Sequence, residues 1–335
     1  MNTLLAGLVD DAGLFPPEQL AMDAALARHK ADEAAGHAML SHRFLCPASR
    51  LAELRAEPGL GSWTGGPPVR LAERGIDRRL RLGLILDTGL DGLEAALAEV
   101  ADEPRVTLDL VEVPAPTAEA VTEALDALAG INAPVYIEGP RDPSWIKEIA
   151  VGRGPGGPGG DDVRRGVAGA GRPGGLRGAK VRCGGARAEL FPSPEELAAF
   201  LCSCAETAVN FKATAGLHGA VRHRDEATGF VHHGYLNLVL GTARAAAQGS
   251  VEEVAEVLAS TGEAALVAEF RTVSARMALL TRALFRAYGS CSTTEPREEA
   301  SALGLLTEDA PPPSVPPSSA PPSSAPPASV LPPGA

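Results

Sequence analysis

Ala179-Lys180-Val181-Arg182-Cys183 and Val209-Asn210-Phe211-Lys212-Ala213-Thr214 are two short strand-like runs, each with a lysine near its centre. Side chains two apart on a strand share a face. Lys180 and Arg182 therefore oppose Val181, and Asn210, Lys212 and Thr214 oppose Phe211 and Ala213. The apolar faces belong against helices, so the cationic faces must turn to the other side of the sheet. Six further apolar runs complete the set: Leu4–Val9, His42–Cys46, Arg81–Asp87, Arg105–Val113, Pro134–Glu138 and Leu284–Ser290. Amphipathic segments at 17–34, 92–100, 117–129 and 194–206 lie between them, with apolar residues at helical spacing. Eight strands alternating with helices predict an α/β fold, a (β/α)8 TIM-like barrel with the lysines projecting towards its axis.

An open dinucleotide-binding sheet is disfavoured. The first run continues into Asp10-Asp11-Ala12-Gly13, acidic where a pyrophosphate requires bare amides. Helices are expected at 234–247, 251–260 and 264–282, an extra helical layer between strands seven and eight that would serve as a lid or a dimer face. One helix start is explicit: Ser193-Pro194-Glu195-Glu196 offers a cap, a first-turn proline and two acids.

The chain has 335 residues, with 37 Gly and 29 Pro. Twelve of the glycines fall in 151–178 and eleven of the prolines in 310–335, so both segments stand apart from the core. The expected organisation is one barrel domain over 1–309, with a Gly-rich flexible insertion at 151–178. A disordered Pro/Ser/Ala tail follows at 310–335. The net charge of −12 argues against nucleic acid or an anionic membrane as a partner. Neither a basic leader nor a long apolar run is present, and five scattered cysteines fit a reducing compartment. A cytoplasmic location is expected.

Only four of the 30 basic residues are lysine: Lys30, Lys147, Lys180 and Lys212. In so arginine-rich a chain, two lysines inside apolar strands ask for a reason. Lysine can lose its proton and form an imine; arginine cannot. Acids close several earlier strands: Asp10, Asp87, Glu112 and Glu138, with Arg43 on the second. The barrel mouth is thus expected to carry carboxylates on one arc and Lys180, Arg182 and Lys212 on the other. Charges buried there must pair, bind a ligand or change protonation. The competing reading is an inward salt-bridge network with no chemistry.

Thr214, Gly216 and His218 follow strand seven, and Ser290 and Ser292 follow strand eight. Small and hydroxyl residues there suit a bound phosphate or carboxylate, although ordinary turns have the same composition. His218, His223, His232 and His233 match no compact metal motif, so no metal is expected, and His218 is cast as an acid/base or substrate contact. Cys202 and Cys204 diverge on a helix and read as core, while Cys291 lacks an evident histidine partner.

Phe211-Lys212-Ala213-Thr214-Ala215-Gly216 and Lys180-Val181-Arg182-Cys183-Gly184-Gly185 resemble the lysine stretches of class I aldolases of the deoxyribose-phosphate type. The order of the two motifs is reversed here. The resemblance spans about 15 residues. It implies a (β/α) barrel with an imine-forming lysine. The expected function is a cofactor-free lyase acting on a small anionic carbonyl compound. Lys212 is cast as nucleophile beside Lys180, Glu138 or Asp87 as proton shuttle, and Arg182 as anion ligand. Arg43, Asp10, Glu112 and Asn210 complete the expected substrate-facing set. An isomerase or decarboxylase that uses Lys/Arg electrostatics, and a non-catalytic ligand-binding scaffold, are the alternatives. The helical insertion would serve a homo-oligomer.

Overall fold

The computed structural model describes residues 3–61, 79–152 and 175–306. Eight parallel strands close into a barrel: β1 (Val9–Asp11), β2 (Leu40–Pro47), β3 (Leu80–Ile85), β4 (Val106–Pro114), β5 (Val135–Glu138), β6 (Arg177–Arg182), β7 (Phe211–Thr214) and β10 (Phe285–Ser290). Neighbours follow chain order, and β10 shuts the ring between β7 and β1. The crossovers carry α1 (Met22–Ala35), α2 (Leu51–Ala56), α3 (Leu93–Ala101), α4 (Ala118–Ala127), α5 (Ile146–Gly152) and α6 (Pro194–Glu206), and α11 (Glu295–Ala302) follows β10. This is the expected α/β barrel of TIM type.

The outer faces of the strands make the apolar core. Val111, Val113, Val135, Ile137, Ala179, Phe211 and Ala213 are all buried against the helical ring. Phe211 anchors that layer, stacked on Phe285 at 5.0 Å and edge-on to Phe200 at 5.4 Å. Local signals place the helices. The side chain of Ser193 accepts from the Glu196 amide while the Glu196 carboxylate accepts from the Ser193 amide, so α6 begins with a complete capping box at Pro194.

Three boundaries differ most from expectation. The first strand is Val9–Asp11 rather than Leu4–Val9. Leu4, Leu5 and Leu8 are buried, but in a turn in which the Leu8 amide donates to the Leu5 carbonyl, so an apolar run is spent on packing rather than on the sheet. β6 starts at Arg177, which moves the last two residues of the Gly-rich segment into the barrel. Residues 153–174 of that segment, and the tail 310–335, lie outside the described residues. The helix expected at 264–282 divides into α9 (Glu263–Thr272) and α10 (Ala275–Leu284), because Ser274 caps the second through the Met277 amide.

The extra helical layer between the last two barrel strands is present. It comprises α7 (Tyr235–Ala246), α8 (Val251–Ala259), α9 and α10, with α7 almost wholly buried at its centre. The connection is not all helix: a small antiparallel hairpin, β8 (His223–Arg224) and β9 (Val231–His232), precedes α7. No helix among the described residues is long and apolar enough to cross a membrane.

Candidate active site

Alternation along β6 and β7 turns both lysines inward, as expected. Lys180 and Lys212 are register partners on adjacent strands, and they are 6% and 1% exposed. Two cations at one level of neighbouring strands, about 4.8 Å apart, require anions between them. Glu112 of β4 supplies one across the interior, and it divides itself between the lysines. Its Oε2 lies 2.7 Å from Lys180 Nζ and its Oε1 2.5 Å from Lys212 Nζ.

Each lysine then takes a second carboxylate. Lys180 lies 3.0 Å from Glu138 Oε2, and the other oxygen of Glu138 accepts from Arg182 Nε at 2.7 Å. Lys212 donates to Asp10 Oδ2. Asp10 Oδ1 accepts from Arg43 Nη1 at 2.6 Å and from the Ser41 hydroxyl. Arg43 Nε donates to Asp109 at 2.5 Å, and Arg81 grips both oxygens of Asp109 at 3.0–3.2 Å.

The result is an alternating ladder: Arg182, Glu138, Lys180, Glu112, Lys212, Asp10, Arg43, Asp109, Arg81. It runs from the mouth, where half-exposed Arg182 ends β6, to the floor, where half-exposed Arg81 begins β3. Five cations alternate with four anions, so every carboxylate of the ladder lies between two cations, and the half-exposed arginine at either end has one carboxylate partner.

The protonation states follow from this order. Burial raises the Glu112 carboxyl, but the two ammonium groups outweigh it and hold it at about 2. Burial opposes the Lys180 ammonium, yet Glu112 and Glu138 outweigh it and keep Lys180 above the ordinary lysine value. Glu138 is held below the usual carboxylate range against its own burial, by Lys180 and Arg182. Asp109 is lowered in the same way by Arg43 and Arg81. In the resting site Lys180 is therefore an ammonium. Lys180 can act as a free amine only after passing that proton to a neighbouring carboxylate.

Two irregularities of the sheet shape the floor end. Between β1 and β2 the register jumps from Val9↔Leu40 to Asp11↔Phe44, and His42 within that jump has φ +54°. A non-glycine residue held there costs on the order of 1–3 kcal/mol. The distortion leaves Ser41 and Arg43, on either side of His42, both bonded to Asp10. Between β3 and β4 the register jumps from Leu82↔Leu108 to Gly83↔Leu110, which makes Asp109 an extra residue. Gly83 leaves room for this: a Cβ there would lie 2.4 Å from Leu45 Cδ2 and 3.1 Å from Arg43 Cδ.

Of the residues expected at the mouth, Lys180, Lys212, Glu112, Glu138, Asp10, Arg43 and Arg182 are brought together. Thr214 stands at the end of β7 in register with Arg182 and Gly289, where it was expected. The others are not assembled with them. Asp87 is exposed, and its carboxylate accepts from the Ser49 amide at 3.0 Å and the Ser49 hydroxyl at 2.5 Å, so it anchors a loop and does not reach the lysines. Asn210 precedes β7 and packs against Gly178 near the floor, the end opposite to the mouth. Ser292 accepts from the Glu295 amide at the start of α11. Ser290 is buried in register with Asp11, with its carbonyl bonded to Ala12. Gly216 is a packing residue. At φ +67° it lies against the backbone of Cys183 and Gly184, locking the β6 and β7 loops together.

His218 contacts Cys291, with Nδ1 3.8 Å from Sγ, and its ring lies 5.8 Å from that of His232. This supplies the histidine beside Cys291 that the sequence did not reveal, but burial raises the thiol and lowers the imidazole, so neither is charged for nucleophilic chemistry. His223 and His232 stack at 5.5 Å, whereas His233 is turned away onto the Pro192 carbonyl. Among the described residues no group of three or more His, Cys, Asp or Glu is placed to hold a metal ion.

Three members of the ladder and its clamp were not anticipated: Ser41, Arg81 and Asp109. The signal for Asp109 was present, since it is a charged residue inside the apolar run Val106-Thr107-Leu108-Asp109-Leu110-Val111. Strict alternation sets Asp109 and Glu112 on opposite faces, and only the bulge allows both to join one network. Comparisons with protein-family models, with curated proteins and with solved structures give no match to this chain.

Proposed function

We propose that the barrel is a lyase of aldolase type that acts on a small anionic carbonyl compound through a lysine imine. The observation that carries this reading is the pair of buried lysines on adjacent strands sharing Glu112 one oxygen each. Two buried ammonium groups contribute little net stability compared with an apolar filling of similar volume, so stability alone does not account for their placement. Lys180 is the better placed nucleophile. It is the more exposed of the two, and it shares Glu138 with Arg182 at the mouth.

In the proposed reaction Lys180 passes a proton to Glu138 or Glu112 and its amine adds to the substrate carbonyl. Loss of water from the carbinolamine leaves a cationic imine. The neighbouring carboxylate takes the proton of the substrate β-hydroxyl as that oxygen becomes the carbonyl of the first product, and the imine accepts the electron pair of the breaking carbon–carbon bond to give an enamine. The carboxylic acid so formed protonates the enamine carbon, and water hydrolyses the imine to release the second product and the lysine. Lys212 stays as the adjacent cation, and the Arg182 guanidinium, which spends its Nε on Glu138, faces the anionic group of the substrate. No step calls for a cofactor.

Sodium borohydride reduction in the presence of pyruvate or glyceraldehyde 3-phosphate tests the reading, with the adduct mapped by mass spectrometry. An adduct on Lys180 is expected. An adduct on Lys212 instead would exchange the two roles, and adducts confined to Lys30 or Lys147 would defeat the imine.

One observation favours a second reading. Lys180 lies between Glu112 at 2.7 Å and Glu138 at 3.0 Å, and two carboxylates favour its ammonium form, which suits an isomerase or decarboxylase that stabilises an enolate by charge alone. The Lys180→Arg variant separates the two, because it keeps the charge and cannot form an imine.

A further inference from the structure

The floor half of the ladder takes no part in the reaction proposed above, yet the sheet departs from regularity twice to build it. The β4 bulge brings Asp109 to Arg43, and the distorted β2 segment brings Arg43 and Ser41 to Asp10. The chain of constraint is directional. Arg81 fixes both oxygens of Asp109 while its own Nη1 donates to the Ser41 carbonyl at 2.7 Å. Asp109 holds Arg43 by Nε, and the rigid guanidinium then presents Nη1 to Asp10 Oδ1. With Oδ1 occupied by Arg43 and Ser41, Asp10 has only Oδ2 to offer, and that oxygen meets Lys212.

Lys212 is thereby drawn towards β1 and needs only Oε1 of Glu112, which leaves Oε2 for Lys180. If Asp10 were free to turn, Lys212 would fall back on Glu112 and compete with Lys180 for both oxygens. We infer that Arg43 and Asp109 are positioning residues: through Asp10 they immobilise Lys212 and so determine that Lys180 is the lysine that reacts. The inference rests on the imine reading for the word "reacts", but the immobilisation of Lys212 can be observed without it.

Two measurements on the full chain test it with Asp109→Asn and Arg43→Lys. Asp109→Asn leaves both arginines in place and removes only the charge that aims Arg43. Arg43→Lys keeps the cation but cannot bridge Asp109 and Asp10 with a fixed fork. The first measurement is NMR of isotope-labelled lysine side-chain nitrogens, simplified by there being four lysines in all. Proton exchange at the Lys212 ammonium should quicken on the order of tenfold in both variants, with Lys30 and Lys147 as unchanged internal references. The second is the ratio of borohydride-trapped pyruvate on Lys180 and Lys212. It should favour Lys180 in the wild type and shift towards Lys212 in the variants. A general loosening of the fold would also accelerate exchange of the core backbone amides, which is measured on the same samples.

Unchanged Lys212 exchange in a folded Asp109→Asn protein would overturn the inference. So would an unchanged adduct ratio in variants whose Lys212 exchange has quickened. Absence of any wild-type adduct on Lys180 or Lys212 would overturn the imine reading and the selection of Lys180 with it, while the exchange data would still decide whether the clamp immobilises Lys212.

Discussion

Glu112→Gln is the most informative single substitution in this barrel. Glu112 is 2% exposed, and each of its oxygens faces a different ammonium group, at 2.7 and 2.5 Å. Its carboxyl is lowered from 4.5 to about 2 because the two ammonium groups outweigh the effect of burial. A difference of that size between the folded and unfolded chain corresponds to about 3 kcal/mol of stability. The amide retains shape and one acceptor oxygen but removes the charge, leaving Lys180 and Lys212 at one level with no anion between them. Loss of about 3 kcal/mol at neutral pH is therefore expected, in line with the general cost of breaking a buried ion pair.

The sign of the pH dependence follows. A carboxyl lowered in the native state stabilises the fold fully above its unfolded value of 4.5, and that contribution fades as pH falls through about 2. Urea unfolding of wild type and variant, followed by circular dichroism, should show a gap that is constant near pH 7 and narrows between 4.5 and 2. A gap below about 1 kcal/mol at neutral pH, or one that does not narrow in acid, would refute the view that Glu112 is an ionised bridge between the lysines.

Two further outcomes test the surroundings of the site. Gly216→Ala should destabilise by on the order of 2 kcal/mol or more, because the position has φ +67° and a Cβ would lie 2.4 Å from the Cys183 carbonyl oxygen; a urea midpoint equal to that of wild type would contradict the assigned contact between the β6 and β7 loops. The five cysteines are all buried and none forms a disulfide, and burial pushes the Cys46 and Cys183 thiols up to about 12. Ellman's reagent at pH 8 should therefore find almost no reactive thiol in the native protein and the full set in denaturant, and rapid native reaction of Cys183 would show that the mouth is open to its base.

Much of the barrel was legible from local chemistry. All barrel strands but β1 announce themselves by an apolar run, and α6 by a capping box that needs no tertiary contact to be recognised. Strict alternation over 179–183 and 210–214 was enough to turn Lys180 and Lys212 inward, because a sheet face that meets helices must be apolar. The acids were nominated by type and by their place at strand ends, and Asp10, Glu112 and Glu138 do meet the lysines.

Which charge meets which was beyond that reading. Asp87 satisfied the same criteria as Glu138, yet it sits beyond the end of β3 within reach of Ser49, where a loop amide and hydroxyl claim it. Asn210 shares a face with Lys212, but alternation carries no information about height along the axis, and two residues towards the floor remove it from the mouth. Asp109 is the clearest case. Residue-by-residue alternation excludes it from the face that bears Glu112, and only pairing with β3 reveals the inserted residue that returns it to Arg43. The sequence by itself determined the number of barrel strands, the faces they present and the chemical types available to the interior, because these follow from local patterning of polarity. The register, the bulges and hence the order of charges along the ladder were decided only by closure of the barrel, because they depend on strands distant in sequence finding a common level.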